Sequence, residues 1–196
     1  IKTIEQAIVD RGWEMGWIPP EPPRHETGKS VGVVGSGPAG LAAAQQLRRA
    51  GHAVTVYERD DRLGGLLVYG IPDFKMAKEY VTRRIDQMRA EGIEFVPNAD
   101  IGRNVDPQEL RAKHDALVLT VGATRARELD IPGRNLTGVI QAMDFLTAQN
   151  RRGFGDQLGP DSVVATGKNV IIIGGGDTAA DCLGTCHRQG ARSVLQ

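Results

Sequence analysis

The chain has 196 residues, with 24 lysines and arginines balanced by 24 aspartates and glutamates, which removes the electrostatic case for a nucleic-acid or polyanion binder. A composition of 40% hydrophobic and 24% charged residues is that of a globular protein, and no apolar run approaches the roughly 20 residues of a membrane span. Two cysteines are too few for a disulfide framework or for the four thiolates of an iron–sulfur cluster, and the 25 glycines, about 13% against an average near 7%, are the departure from the ordinary.

Residues 1–17 carry a helical pattern with Ile4, Ile8 and Trp13 on one face, and Trp13 and Trp17 read as packing residues. Pro19, Pro20, Pro22 and Pro23 stop that helix, so residues 18–29 are expected to be a stiff, extended connector. An apolar strand at 31–34, a glycine turn at 35–40, a helix at 41–50 closed by Gly51 and a strand at 53–57 spell a βαβ unit with a parallel pair. A long helix is expected over 75–91, closed by Gly92, then a strand at 93–96. Asp106, Pro107 and Glu109 supply an N-cap, a first-turn proline and a capping-box acid for a helix to Lys113. A strand at 115–121 ends at Gly122, a helix follows at 139–150, and the glycine-rich stretch 151–168 reads as a loop. The opening pattern then returns, with a strand at 169–173, a glycine turn at 174–179, a helix at 180–189 closed by Gly190, and a strand beginning at 192.

Gly35, Gly37 and Gly40 fit G-x-G-x-x-G between a strand and a helix, the context that motif requires. The first glycine permits the tight turn, the second lets backbone approach a pyrophosphate, and the third allows close helix–strand packing. Glu58 follows the second strand 23 positions after Gly35, where a carboxylate can accept from both ribose hydroxyls of an adenosine. The competing reading is a solvated charge within Glu58-Arg59-Asp60-Asp61-Arg62. The Gly64-Gly65 doublet and the small residues Gly122, Ala123 and Thr124 after a strand favour FAD over NAD at this turn.

Gly174, Gly176 and Ala179 form a second turn of the G-x-G-x-x-A kind, and two such turns suggest one flavin and one nicotinamide nucleotide. Ala179 in the third glycine's place leans towards NADP. The position 23 residues after Gly174 would be 197, beyond Gln196. With Ile1 in place of an initiator Met, the chain is expected to be a piece of something longer and its second unit truncated. Asp177 either caps the following helix or touches the nicotinamide side, and Arg192 with His187 and Arg188 either approaches a phosphate or lies in solvent. Cys182 and Cys186, four apart on one helix face, read as buried structural thiols rather than a C-x-x-C redox pair. The histidines show no metal-ligand spacing, and no catalytic acid–base pair stands out. Low cysteine content without a secretory h-region points to the cytoplasm.

The stretches VGVVGSGPAG, LGGLLVYGIPDFKM, LTVGAT, IPG and GGGDTAADC, with the connector GWIPPEPP, resemble the small (beta) subunits of NADPH-dependent bacterial glutamate synthase. They are also similar to the N-terminal part of dihydropyrimidine dehydrogenase and, more distantly, to adrenodoxin reductase. The resemblance implies an α/β fold of two Rossmann-like units. A helix and connector at 1–29 would precede an FAD-binding part at 30–135 and the beginning of an NADPH-binding part at 136–196. Gly35, Ser36, Gly37, Pro38, Ala39 and Gly40 would hold the FAD pyrophosphate, and Glu58 with Arg59 the ribose. Gly65, Leu66, Gly70 and Ile71 would line the flavin, with Gly122 near it. Gly174, Gly176, Asp177 and Thr178 would meet NADPH. The implied function is electron input: NADPH reduces FAD, and electrons reach a large (alpha) subunit, in a hetero-oligomer, that makes L-glutamate from L-glutamine and 2-oxoglutarate. The iron–sulfur clusters expected in the parent enzyme would be ligated outside this chain. The alternatives are a related flavin reductase feeding another acceptor, such as a pyrimidine reductase or a ferredoxin, and a nucleotide-binding fragment without turnover.

Overall fold

The valine-rich run after Lys29 becomes the central strand of a parallel sheet. In the computed structural model, which describes residues 2–159 and 162–196, β1 (Ser30–Val34) lies between β2 (Ala53–Tyr57) and β4 (Ala116–Leu119), with β3 (Glu94–Val96) outside β2. All pairings in this sheet are parallel, and Val33 stands opposite Val56 on one side and Val118 on the other. Parallel neighbours require crossover connections. Here α2 (Pro38–Arg49) joins β1 to β2, α3 (Leu66–Tyr69) and α4 (Glu79–Ala90) join β2 to β3, and α5 (Pro107–Lys113) joins β3 to β4.

Alternation along the strands sends side chains to two covered faces, as expected of a parallel sheet. Val31, Val33, Val54 and Val56 pack with Leu41 and Ala44 of α2 and with Val81, Ile85 and Met88 of α4. Val34 and Tyr57 face the other way, onto Ala99 and Leu110 of α5. The strand order β3-β2-β1-β4 grows outward from β1 and then returns to its other side. That reversal places a crevice beyond the carboxyl ends of β1 and β4, where sheets of this kind take ligands.

A second parallel pair, β5 (Asn169–Ile171) and β6 (Ser193–Leu195), is joined through α7 (Asp177–Arg188). Phe145 and Leu146 of α6 (Ala142–Gly153) pack with Cys182 and Cys186 of α7. The two sheets are bridged by contacts on α6 and α7: Asn150 donates to the Tyr69 carbonyl at 3.0 Å, Arg62 pairs with Asp156 at 2.6 Å, and Lys75 pairs with Asp181 at 2.6 Å.

Several boundaries differ from the sequence expectation. α4 begins at Glu79 rather than at residue 75, because residues 72–78 turn and dock instead: the Phe74 ring lies over Gly184, and the Lys78 ammonium donates to the Leu67 and Ile71 carbonyls. The four-residue α3, directly after the Gly64–Gly65 doublet, is not among the elements expected from the sequence. α6 is displaced three residues towards the C-terminus and takes up the start of the expected loop, of which residues 160 and 161 lie outside the described residues. α5 forms as expected, and the Asp106 carboxylate accepts from the Gln108 N–H at 2.8 Å.

α1 (Lys2–Glu14) forms, but Ile4, Ile8 and Trp17 are exposed, so the expected apolar face and the packing role for Trp17 are corrected. What holds α1 is cationic. Arg83 and Arg84 of α4 lie 5.0 and 5.4 Å from the Trp13 ring centre, and Arg83 also pairs with Asp10 at 2.8 Å. The connector is pinned by polar contacts. Gln87 donates to the Pro19 carbonyl at 2.9 Å, Glu21 N–H donates to Glu91, and Thr27 N–H donates to the Gly51 carbonyl at 2.8 Å. The Glu91 side chain is 0% exposed and takes Arg49 at 2.6 Å together with Gln45. Burial opposes its ionisation, but Arg49, the Glu21 N–H and Gln45 outweigh that and hold its pKa below the ordinary 4.5.

Removing this carboxylate leaves Arg49 Nε and Nη2, Gln45 and the Glu21 amide without their acceptor, so Glu91→Ala is expected to cost about 2–3 kcal/mol in denaturant unfolding and to open the connector to proteolysis. A depressed folded-state pKa contributes stability that is complete above the unfolded value and is lost as pH falls through the folded one. The stability gap between the protein and Glu91→Gln is therefore expected to be widest above pH 4.5 and to close on acidification below it. A gap that stays constant down to low pH would contradict this.

Candidate functional site

The first glycine turn is shaped by what cannot stand in it. Gly35 follows β1 with φ of 105°, and a Cβ there would lie 2.5 Å from the Thr120 carbonyl oxygen. A Cβ on Gly40 would lie 1.9 Å from the Gly35 carbonyl oxygen. The start of α2 is thus pressed against the end of β1. At Gly37, the N-cap of α2, a Cβ would meet nothing within 4 Å. Backbone there faces open space, no side chain caps the helix, and Pro38 stands at its first position. The leading N–H groups of a helix lack intrahelical partners and carry its positive dipole end, so this is a cradle for an anionic group.

Glu58 follows β2 directly and is 5% exposed, so it is not a solvated charge. Its Oε2 accepts from the Ser36 hydroxyl at 2.5 Å and the Ser36 N–H at 3.0 Å, and its Oε1 accepts from the Asp60 N–H at 3.0 Å. The glycine doublet reaches the same place. Gly64 N–H donates to the Ser36 hydroxyl at 2.8 Å, and a Cβ on Gly65 (φ 53°) would lie 2.9 Å from the Gly37 Cα. Turn, acid and doublet therefore converge at the carboxyl ends of β1 and β2. Leu66 is exposed beside them, and the N–H groups of Gly70 and Ile71 close α3 onto the Leu66 carbonyl at 2.9 Å. Arg59 points to Asp60 at 3.7 Å.

Gly122 is exposed after β4, with φ of 67°. Sequence reasoning passed over Thr120, two residues before it. The Thr120 hydroxyl reaches the Val34 carbonyl at 2.9 Å and the Gly35 carbonyl at 3.0 Å, binding β4 to the turn across the topological reversal. A hydroxyl at the end of an apolar strand was the available signal.

The second turn repeats the backbone form with less around it. Gly174 has φ of 138°, Gly176 is the N-cap of α7, and Gly174 to Thr178 are exposed. Asp177 is the first helical residue and makes no side-chain capping bond, which excludes the capping reading. The Gln196 amide donates to the Gly174 carbonyl at 3.2 Å. Arg192 is not brought to this turn: its N–H pairs with the Lys168 carbonyl at 2.8 Å, at the amino end of β5 and β6, whereas the turn follows the carboxyl end of β5. Arg188 stacks on Phe74 at 3.6 Å, beside a cavity of about 420 Å3 between residues 72–78 and the helices α6 and α7.

The family profile of pyridine nucleotide-disulphide oxidoreductases matches residues 29–195. The chain belongs to that family. Among curated proteins it is 60% identical over 200 residues to the glutamate synthase [NADPH] small chain of Mycobacterium tuberculosis, covering 100% of this chain and 41% of that one. It is 51% identical over 195 residues to the glutamate synthase [NADH] of Saccharomyces cerevisiae, covering 100% of this chain and 9% of the relative. The chain thus spans about two fifths of the length of its bacterial relative. Among solved structures, Mycobacterium tuberculosis FprA in complex with NADPH superposes with a TM-score of 0.69 at 28% identity, covering 85% of this chain and 42% of FprA.

Unlike a redox disulfide pair, the two cysteines of this family member are packing groups. Both are buried on α7, and desolvation pushes the Cys182 thiol up to about 11. Near the first turn, the Tyr69 hydroxyl donates to Asp61 at 2.5 Å, and burial with that neighbour pushes Tyr69 up to about 12. Asp61, held below its ordinary value by the Tyr69 hydroxyl and by Arg151 and Arg62, remains an anion that ties α6 to the first unit. No helix among the described residues is long and apolar enough to cross a membrane.

The two glycines make opposite predictions. Gly40→Ala forces a methyl into backbone and is expected to destabilise by about 3 kcal/mol or more. Gly37→Ala meets open space and is expected to cost less than about 1 kcal/mol. Thermal melts of both variants check this, and equal losses would contradict the geometry.

Proposed function

We propose that this chain is the dinucleotide-binding part of an electron-input subunit of glutamate synthase, in which FAD binds the first turn and NADPH the second. The observation that carries the reading is the convergence of Gly37, Glu58 and the Gly64–Gly65 doublet at the carboxyl ends of β1 and β2. The 60% identity to a glutamate synthase [NADPH] small chain supports it. The open backbone at Gly37 fits a pyrophosphate, which needs N–H donors and no competing side chain.

In this reading Gly35, Ser36, Gly37, Pro38, Ala39 and Gly40 form the pyrophosphate turn, Glu58 holds a ribose, and Gly65, Leu66, Gly70, Ile71 and Gly122 border the flavin. Gly174, Gly176, Asp177 and Thr178 receive the nicotinamide nucleotide. Residues 30–135 and 136–196 are the corresponding FAD and NADPH parts. FAD, when bound, supplies the redox chemistry between a two-electron donor and a one-electron acceptor. The protein's own residues bind, orient and exclude water. The complete protein would be cytoplasmic and would work with a large subunit that forms L-glutamate from L-glutamine and 2-oxoglutarate. The NADH-named yeast relative makes nicotinamide preference part of the test.

A visible spectrum of the full-length protein before and after anaerobic NADPH is expected to show a flavin band that bleaches, faster than with NADH. Glu58→Gln is expected to weaken FAD binding about tenfold. A band that survives NADPH would overturn electron input, and the lack of any band in the full-length protein would overturn the FAD assignment.

A further inference from the structure

Ser36 is 0% exposed, in a turn whose counterpart carries Gly175 at the matching position. Its hydroxyl joins three segments of chain, accepting from the Gly64 N–H at 2.8 Å and donating to Glu58 Oε2 at 2.5 Å. The direction is forced, because an amide only donates and a carboxylate only accepts. The Ser36 N–H donates to the same Oε2 at 3.0 Å, and the Asp60 N–H to Oε1 at 3.0 Å. A carboxylate offers about two acceptor positions per oxygen. Oε2 is therefore filled from within the protein, and Oε1 keeps an acceptor position open.

We propose that Ser36 is the positioning residue of the ribose-holding carboxylate. Its hydroxyl fixes Glu58 so that Oε1 is presented to a ribose hydroxyl of an adenine dinucleotide, and it ties the Gly64–Gly65 turn into the same chain of bonds. Ser36 acts through Glu58 and need not touch the ligand with its side chain. This inference rests on the reading of the first turn as a dinucleotide site and adds to it the residue that orients the acid. Without the hydroxyl, the Glu58 carboxylate loses a restraint on its rotation and the Gly64 N–H loses its buried acceptor.

The test compares ADP with 2′,3′-dideoxy-ADP, which lacks both ribose hydroxyls, by calorimetry on the full-length protein stripped of flavin. The unaltered protein is expected to prefer ADP about tenfold, the size of one hydrogen bond to a charged group. Ser36→Ala and Ser36→Gly both keep the N–H donor and remove the hydroxyl, and the glycine variant takes the residue that stands at the matching position of the second turn, Gly175. Both are expected to lower the ratio of ADP to dideoxy-ADP affinity to about two- to threefold and to speed exchange of the Gly64 amide. Glu58→Gln should lower the preference as well, and adding Ser36→Ala should lower it no further.

Variants that keep the full preference, that lose both ligands equally, or that add independently to Glu58→Gln would overturn the positioning role while leaving the dinucleotide site standing. An unaltered protein with no preference, or one indifferent to Glu58→Gln, would overturn the dinucleotide reading itself.

Discussion

The Gly35 carbonyl oxygen lies 1.9 Å from where a Cβ on residue 40 would stand, so α2 can begin at this point only because residue 40 has no side chain. That close approach sets the height of the helix N-terminus above the end of β1, and the rest of the site is arranged around it. Ser36 is enclosed between strand and helix, Glu58 is drawn beneath it, and the Gly64–Gly65 turn closes down until it meets the Gly37 Cα. Thr120 fastens the neighbouring strand to the same turn. The surface left open at Gly37 is backbone, which is the surface an anionic linkage needs.

Two buried carboxylates illustrate different uses of one chemistry. Glu91 is compensated by the Arg49 guanidinium and by amide donors, and its work is to anchor the connector to α2 and α4. Glu58 is held by a hydroxyl and by backbone amides. Its charge is positioned without being cancelled, and an acceptor position on Oε1 stays available to a ligand. In the proposed reading the carboxylate held by neutral donors serves recognition, whereas the one paired with a cation is a structural joint.

The βαβ openings were legible because each rests on local chemistry. Strand 30–34, its glycine turn and α2 came within a few residues of expectation, as did α5, whose Asp106 and Pro107 encode its start. The misses share a cause. Residues 75–78 have helix-compatible composition, yet the docking of Phe74 onto Gly184 and of Lys75 onto Asp181 takes them out of the helix. Ile4 and Ile8 fit an amphipathic face, but Trp13 and Asp10 attach α1 through arginines. For Arg192 the sequence left open a phosphate contact or solvent, and strand direction puts its backbone at the end of the pair opposite the turn.

By itself the sequence determined the α/β class, the two glycine turns, the acid after the second strand and the glycines that close α2, α4 and α7, because each follows from the steric and hydrogen-bonding character of a few adjacent residues. Tertiary structure alone decided that Ser36 bridges Glu58 and Gly64, that Thr120 binds β4 to the turn, and that Glu91 helps to anchor the connector. Those contacts join residues 22 to 86 positions apart. Which donor meets which acceptor over such separations depends on how helices seat on the sheet, a property that no local window of sequence contains.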